Sequence, residues 1–122
     1  MSGERGSVSV VLAASLVIVL VLAMGTADLG RALVARSQAR TAADAAALAA
    51  AQELAIPSGA DPAQLAAAYA EANRAVLIVC SCAVGTTQAT VEVQVEVGGL
   101  LLVPGSPVVT ARARAVVDLP SA

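Results

Sequence analysis

An uncharged apolar run near the amino terminus is the most prominent pattern along the chain. No charged residue occurs from Gly6 to Ala27, and residues 8–24 are apolar except for two serines. These 22 residues would form a helix about 33 Å long, close to the hydrocarbon thickness of about 30 Å. Because the run is apolar on every side, it predicts a transmembrane helix rather than an amphipathic helix on the membrane surface.

A cleavable secretory signal is the alternative interpretation of this run. Residues 23–25 and 25–27 both offer small side chains at the spacing that a signal peptidase recognises. However, the preceding segment carries a single Arg beside a Glu, and the apolar run exceeds the roughly 7 to 15 residues usual in signal peptides. A retained membrane anchor is therefore favoured.

The helical pattern continues through residues 28–55 without a break. Alanine is the best helix former, and only Gly30 costs about 1 kcal/mol. Asp28 lies three residues before Arg31, and Arg40 lies four residues before Asp44. Each pair can meet on one helix face, where a solvated ion pair is the expected structure.

Alanines surround Leu48 in the second half of this helix. They are Ala42, Ala43, Ala45, Ala46, Ala47, Ala49, Ala50 and Ala51. Small side chains permit close approach between helix backbones. This stretch therefore predicts packing against another helix.

The segment 56–62 is rich in turn-forming residues and predicts a loop. Asp61 then has the position of an N-cap, with Pro62 at the first helical position and Gln64 completing a capping box. A short second helix is expected from Pro62 to Arg74.

Alternating and β-branched patterns follow and predict three strands at residues 76–84, 90–97 and 108–117. Residues 85–87 provide a hairpin connection between the first two strands. In the second strand, four valines share one face and polar residues share the other. The expected fold class is α+β: a long transmembrane helix, a short helix and a three-stranded antiparallel meander.

The charges on the strands predict a register. A tight turn at residues 103–106 and a bulge at Gly98-Gly99 would place Arg112 opposite Glu96 and Arg114 opposite Gln94. Such an exposed pair contributes well under about 1 kcal/mol and mainly fixes the register.

Cys80 and Cys82 are the only cysteines. In an extended strand their Cα atoms would be about 6.6 Å apart, near the upper limit of disulfide geometry. Buried thiols are therefore favoured, with a disulfide as the alternative. A metal site is not expected from two thiols without a histidine.

Composition restricts the function. The chain is 58% hydrophobic, yet Tyr69 is its only aromatic residue, and it has no histidine and a net charge of −2. Without a basic excess or aromatics, nucleic-acid binding is not expected. No set of Asp, Glu, Ser or Cys suggests catalysis, so we predict no enzyme and no cofactor. The core outside the membrane must be small and poor in large side chains.

The amino-terminal region resembles the TadE/TadG-like proteins of Flp (Tad) pilus assembly, in particular the small actinobacterial TadE-like type. The resemblance covers residues 3–53. Its motifs are Gly3-Glu4-Arg5-Gly6-Ser7 before the apolar run, Asp28-Leu29-Gly30-Arg31 after it, then Arg36-Ser37-Gln38 and Ala42-Ala43-Asp44-Ala45-Ala46-Ala47-Leu48-Ala49. The residues that carry it in the helix are Asp28, Arg31, Gln38, Asp44 and Leu48.

The resemblance implies a single-pass, pilin-like protein of the cell membrane. The expected domains are a cytoplasmic tail (1–5), a transmembrane helix (6–27), its continuation (28–55) and an extracytoplasmic α+β domain (56–122). The positive-inside rule alone favours the opposite orientation, because three arginines follow the run. The implied partners are membrane lipid and other pilin-like or Tad assembly membrane proteins, contacted through the helix.

Processing between Gly6 and Ser7 is a candidate step. Prepilins usually carry a Glu as the fifth mature residue, whereas this cleavage would place Val11 there. The expected function is that of a minor pilin or structural component of Flp pilus assembly or secretion. The alternative is a membrane-tethered binding module unrelated to pilus assembly.

Overall fold

The computed structural model describes residues 2–121, with side chains from Arg5 onward. Its elements are helix α1 (Ser2–Ala55), helix α2 (Pro62–Ala72) and strands β1 (Val76–Ser81), β2 (Gln88–Glu96) and β3 (Val108–Val116). The strands form one antiparallel sheet in the order β1-β2-β3. The α+β architecture predicted from the sequence is confirmed.

Helix α1 is continuous over 54 residues, which corresponds to a length of about 81 Å. It passes through Gly25 and Gly30 without interruption. The helix also includes residues 2–5, although the sequence predicts a tail at residues 1–5. The boundaries between tail, membrane span and continuation stay predictions.

The core lies between the second half of α1 and the valine face of β2. Nearly all of its buried side chains are alanine or valine, and the largest fully buried ones are Val91 and Val93. Small alanines on α1 let the helix lie close to the sheet, so the core needs no aromatic residue. The alanines around Leu48 therefore pack against the chain's own sheet and α2, in addition to any role between molecules.

Helix α2 has well-defined ends. The Asp61 carboxylate accepts a hydrogen bond from the Ala63 N–H at 3.0 Å, as predicted for an N-cap. Within the described part of the chain Gln64 makes no reciprocal side-chain bond, so the capping box is incomplete. The helix ends at Ala72, with Asn73 as its C-cap, rather than at Arg74, which has a φ of 59°.

The predicted register of β2 and β3 is wrong by four residues. Arg112 lies opposite Glu92 rather than Glu96, and Arg114 lies opposite Thr90 rather than Gln94. The connection is not a tight turn: Val97 donates its N–H to the Pro107 carbonyl at 2.8 Å and closes a long loop. Because the error is an even number of residues, every side chain keeps its predicted face.

The predicted bulge at Gly98-Gly99 is also absent from the β2–β3 ladder. These glycines lie in the connecting loop, where Gly99 has a φ of 71°. The irregularity of the sheet is found instead in β1, between Leu77 and Val79.

Candidate functional site

The first half of α1 is an exposed apolar surface. Its large side chains between Val8 and Leu22 are 49% to 68% exposed. This is the one helix in residues 2–121 that is long and apolar enough to cross a membrane by length and composition. Gly6 and Ser7 lie exposed in its first turns, and processing between them stays a prediction.

Directly after the apolar run, α1 is hydrogen-bonded to the sheet domain. Asp28 is only 7% exposed, and its carboxylate accepts hydrogen bonds from the backbone N–H groups of Leu101 and Leu102, at 2.7 and 2.8 Å. These two bonds hold the pKa of Asp28 below its usual value. Asp28 is thus a buried anchor for the connection between β2 and β3 (the β2–β3 loop, residues 97–107).

Arg31 completes this contact. Its guanidinium lies 3.5 Å from the Asp28 carboxylate and donates a hydrogen bond to the Gly99 carbonyl. The Asp28–Arg31 pair that the sequence predicts is present, but Asp28 is buried rather than solvated. The β2–β3 loop covers Asp28. The backbone N–H groups of this loop replace the hydrogen bonds that water would donate to an exposed carboxylate.

The remaining residues of the helix motif have different surroundings. Gln38 donates a hydrogen bond to the Asn73 carbonyl at 3.2 Å and so joins α1 to the end of α2. Asp44 is exposed, and no ion pair within the described residues joins it to Arg40, contrary to the expectation. Leu48 is 49% exposed and faces away from the core.

Comparison with known families matches residues 6–53 to the model "Putative Flp pilus-assembly TadE/G-like". The match begins at the apolar run, includes Asp28, Arg31, Gln38, Asp44 and Leu48, and ends near the end of α1. Residues 6–53 of this chain are thus similar to the TadE/G-like family (the TadE/G-like region). Neither curated proteins nor solved structures gave a match.

The TadE/G-like region thus coincides with helix α1, whereas α2 and the sheet lie outside the matched residues. This match supports involvement in Flp pilus assembly. Together with the exposed apolar half of α1, it also points to membrane anchoring.

Glu53 is the last residue of the TadE/G-like region, and the sequence patterns do not predict a role for it. It is 7% exposed, and its carboxylate accepts bonds from the Ser58 hydroxyl and N–H, both at 2.7 Å, and from the Gly59 and Ala60 N–H groups, both at 3.1 Å. The bonds from Ser58 are the main reason that the pKa of Glu53 is lowered. A negative charge in the last turn of a helix is unfavourable because it lies near the negative end of the helix dipole. An acidic residue at this position therefore indicates that nearby hydrogen-bond donors bind its carboxylate.

Cys80 and Cys82 form a disulfide in the structure, with their Cα atoms 5.4 Å apart. Free buried thiols are what the sequence favours if both residues lie in one extended strand, and the disulfide is the alternative. Strand β1 ends at Ser81, so Cys80 and Cys82 do not both belong to one extended strand. Both side chains are half-buried against the core.

Nothing among residues 2–121 groups three or more His, Cys, Asp or Glu side chains as a metal site would require. The exposed apolar half of α1, joined to the small sheet through Asp28 and Arg31, forms a packing surface.

Proposed function

We propose that this protein is a membrane-anchored minor pilin or structural component of Flp pilus assembly. It acts by packing the apolar half of α1 against other membrane helices, while the sheet domain lies outside the membrane. The observation that carries the proposal is the division of one continuous helix into two surfaces. The first half is exposed on all sides, and one side of the second half is covered by the chain's own sheet and α2.

Apolar exposure on α1 extends beyond the membrane span. Leu29 and Leu33 are 60% and 57% exposed, and Leu48 follows on the side away from the sheet. Helices that associate in membranes do so by van der Waals packing of complementary surfaces rather than by exclusion of water. A helix partner could therefore contact α1 both within the bilayer and just outside it.

The proposed topology places the amino terminus in the cytoplasm and residues 56–122 outside. The resemblance of residues 3–53 to TadE/TadG-like proteins supports this orientation. The disulfide also supports it, because disulfides persist in oxidising compartments outside the cytoplasm. Labelling of a cysteine introduced at Val84, the most exposed large apolar side chain, with a membrane-impermeant reagent tests the orientation in intact cells.

Replacement of residues 8–24 by an unrelated transmembrane helix of equal length tests the mechanism. In cells lacking the native protein, this variant should reach the membrane with a folded outer domain yet fail to support pilus assembly. A matched control replaces the same residues by their own sequence with conservative Leu and Val exchanges. Full activity of the unrelated helix would contradict the proposal and favour the tethered binding module.

Sequencing of the mature amino terminus in the membrane fraction tests processing. A start at Ser7 supports prepilin-type cleavage, which we propose as the candidate step, and an intact Met1 or Ser2 supports a static anchor. A start at Thr26 or Asp28 would show a cleaved signal and would remove the packing helix on which the proposal depends.

A further inference from the structure

The β2–β3 loop is unusually apolar for an exposed connection. Residues 98–107 contain no charged side chain, and four consecutive large apolar residues occupy positions 100–103. Leu101, Leu102 and Val103 are 51%, 47% and 48% exposed. A contiguous apolar patch on a loop is typical of an interaction surface.

The path of the loop along α1 indicates where this surface lies. Gly99 contacts Arg31, Leu101 and Leu102 are bonded to Asp28, and Leu102 lies within 3.7 Å of the position that a Cβ would occupy at Gly25. The loop therefore runs from the sheet toward the membrane span. Because a helix rises 1.5 Å per residue, Gly25 lies about 3 Å inside the end of the predicted span at residue 27.

Hydrogen bonding makes this position compatible with a bilayer. Irregular backbone at membrane depth is unfavourable unless its polar groups have partners. The Asp28 carboxylate binds the N–H groups of Leu101 and Leu102, and Arg31 binds the carbonyl of Gly99. The contact thus removes part of the polar backbone from the lipid and leaves the apolar side chains exposed.

We propose that the tip of the β2–β3 loop, Leu101 to Val103, inserts into the membrane interface beside α1 and forms a second contact with lipid. The proposal commits to lipid as the occupant because the tip is continuous with the exposed apolar surface of the span. A second contact fixes how the sheet domain is rotated and tilted relative to the membrane, which a single helix does not. The inference requires a retained membrane span but not a role in pilus assembly.

The absence of tryptophan from the sequence permits a direct test. The full chain with Leu102→Trp is reconstituted at high lipid excess into phosphatidylcholine/phosphatidylglycerol vesicles, with or without brominated acyl chains. Val84→Trp, at a site 90% exposed in the β1–β2 connection, is the aqueous control. Leu16→Trp, within the apolar run, is the membrane control.

Leu102→Trp should show blue-shifted emission and roughly twofold or greater quenching by brominated lipid, between the two controls, since Trp favours the interface. Adding Asp28→Asn to Leu102→Trp should reduce this quenching by releasing the loop. Leu101→Trp gives the same readout without a larger side chain beside Gly25, and circular dichroism verifies the fold of each variant.

Two results would overturn the proposal. Emission and quenching equal to those of Val84→Trp, in both loop variants, would place the tip in water. Blue-shifted emission without quenching by brominated lipid would show that protein, such as a second copy of this chain, covers the tip.

Discussion

Asp28 shows how one side chain can join the membrane-proximal helix to the outer domain. Its carboxylate meets two backbone N–H groups and one guanidinium, and it is almost fully buried. Charge-assisted hydrogen bonds of this kind are stronger than neutral ones. The loss of the charge should therefore be visible in stability and in its pH dependence.

Asp28→Asn should lower the melting temperature at neutral pH. The bonds from Leu101 and Leu102 hold the folded-state pKa below the ordinary value of 3.8. The ionised group therefore contributes stability above that value, and the contribution is lost as the pH falls through the lowered folded pKa. The difference between wild type and Asp28→Asn should shrink below a pH of about 3.8, measured by circular dichroism in detergent micelles.

Asp44→Asn is the matched control, since Asp44 is exposed and unpaired in the described chain. It should melt like the wild type at neutral pH. A stability difference for Asp28→Asn that does not change with pH would show that the carboxylate charge is not what binds the loop.

Glu53→Gln should loosen the loop after α1. The amide offers one acceptor oxygen in place of two, whereas Ser58, Gly59 and Ala60 supply four donors to the carboxylate. Backbone amides at residues 58–60 should exchange with deuterium faster, while those of β2 keep their protection. Glu71→Gln, on the exposed side of α2, should leave the exchange unchanged. Equal protection in both variants would show that Glu53 does not hold the loop.

Arg74→Gly should stabilise the protein by about 1 kcal/mol. Arg74 adopts a left-handed conformation with a φ of 59°, which is unfavourable for a side chain with a Cβ but not for glycine. The Ala75 N–H to Ala70 carbonyl bond at 2.9 Å closes the helix end and fixes that conformation. Urea unfolding in micelles measures the gain.

The Arg74→Ala variant separates the effect of the backbone conformation on stability from the effect of losing the Arg side chain. It removes the guanidinium but keeps the Cβ, so its stability should stay close to that of the wild type. An equal gain in both variants would mean that the Arg side chain, not the backbone angle, is the unfavourable element.

The strands illustrate what local patterns predict at the scale of an element. Alternation predicted the position and the inner face of β2 and β3, because each residue's face depends only on its neighbours along the strand. The register depends on how the connection closes. In the structure the β2–β3 loop is bonded to α1 through Asp28, between residues separated by 73 and 74 positions in the sequence. Sequence alone carried no signal for it.

A double-mutant cycle measures the register directly. Arg112 contacts Glu92, and the two side chains are 72% and 24% exposed. Their coupling should therefore be small, about 0.3 to 1 kcal/mol. The cycle between Arg112 and Glu96 should give no coupling, because Glu96 lies opposite Val108. The reverse result, with coupling only to Glu96, would restore the register that the sequence predicted.

At the scale of the whole molecule, the single helix α1 has two different surroundings along its length. The apolar first half is exposed all round, and the alanine-rich second half forms one side of the core. The scarcity of aromatic residues had predicted a small core, and the structure shows that alanine against valine fills it. The sequence could not reveal that α1 itself forms one side of the core of the outer domain. Its alanines are equally suited to packing against a sheet, against α2 or against another molecule.

Two substitutions two positions apart on α1 should separate folding from assembly. Ala46 is fully buried in the core, so Ala46→Leu should overpack the core and lower the free energy of unfolding by about 1 to 3 kcal/mol. Leu48 lies half exposed on the other side, so Leu48→Ala should leave unfolding almost unchanged.

The same pair distinguishes a packing role from a purely anchoring one. If α1 packs against partner helices outside the bilayer, Leu48→Ala should weaken pilus assembly although the protein is stable, whereas Ala46→Leu should reduce the amount of protein by exposing the outer domain to proteolysis. Protease digestion of membranes and pilus counts in the same cells measure the two effects. Normal assembly with Leu48→Ala would restrict the proposed contact to the apolar run, because only the membrane-embedded surface of α1 would then remain for a partner helix.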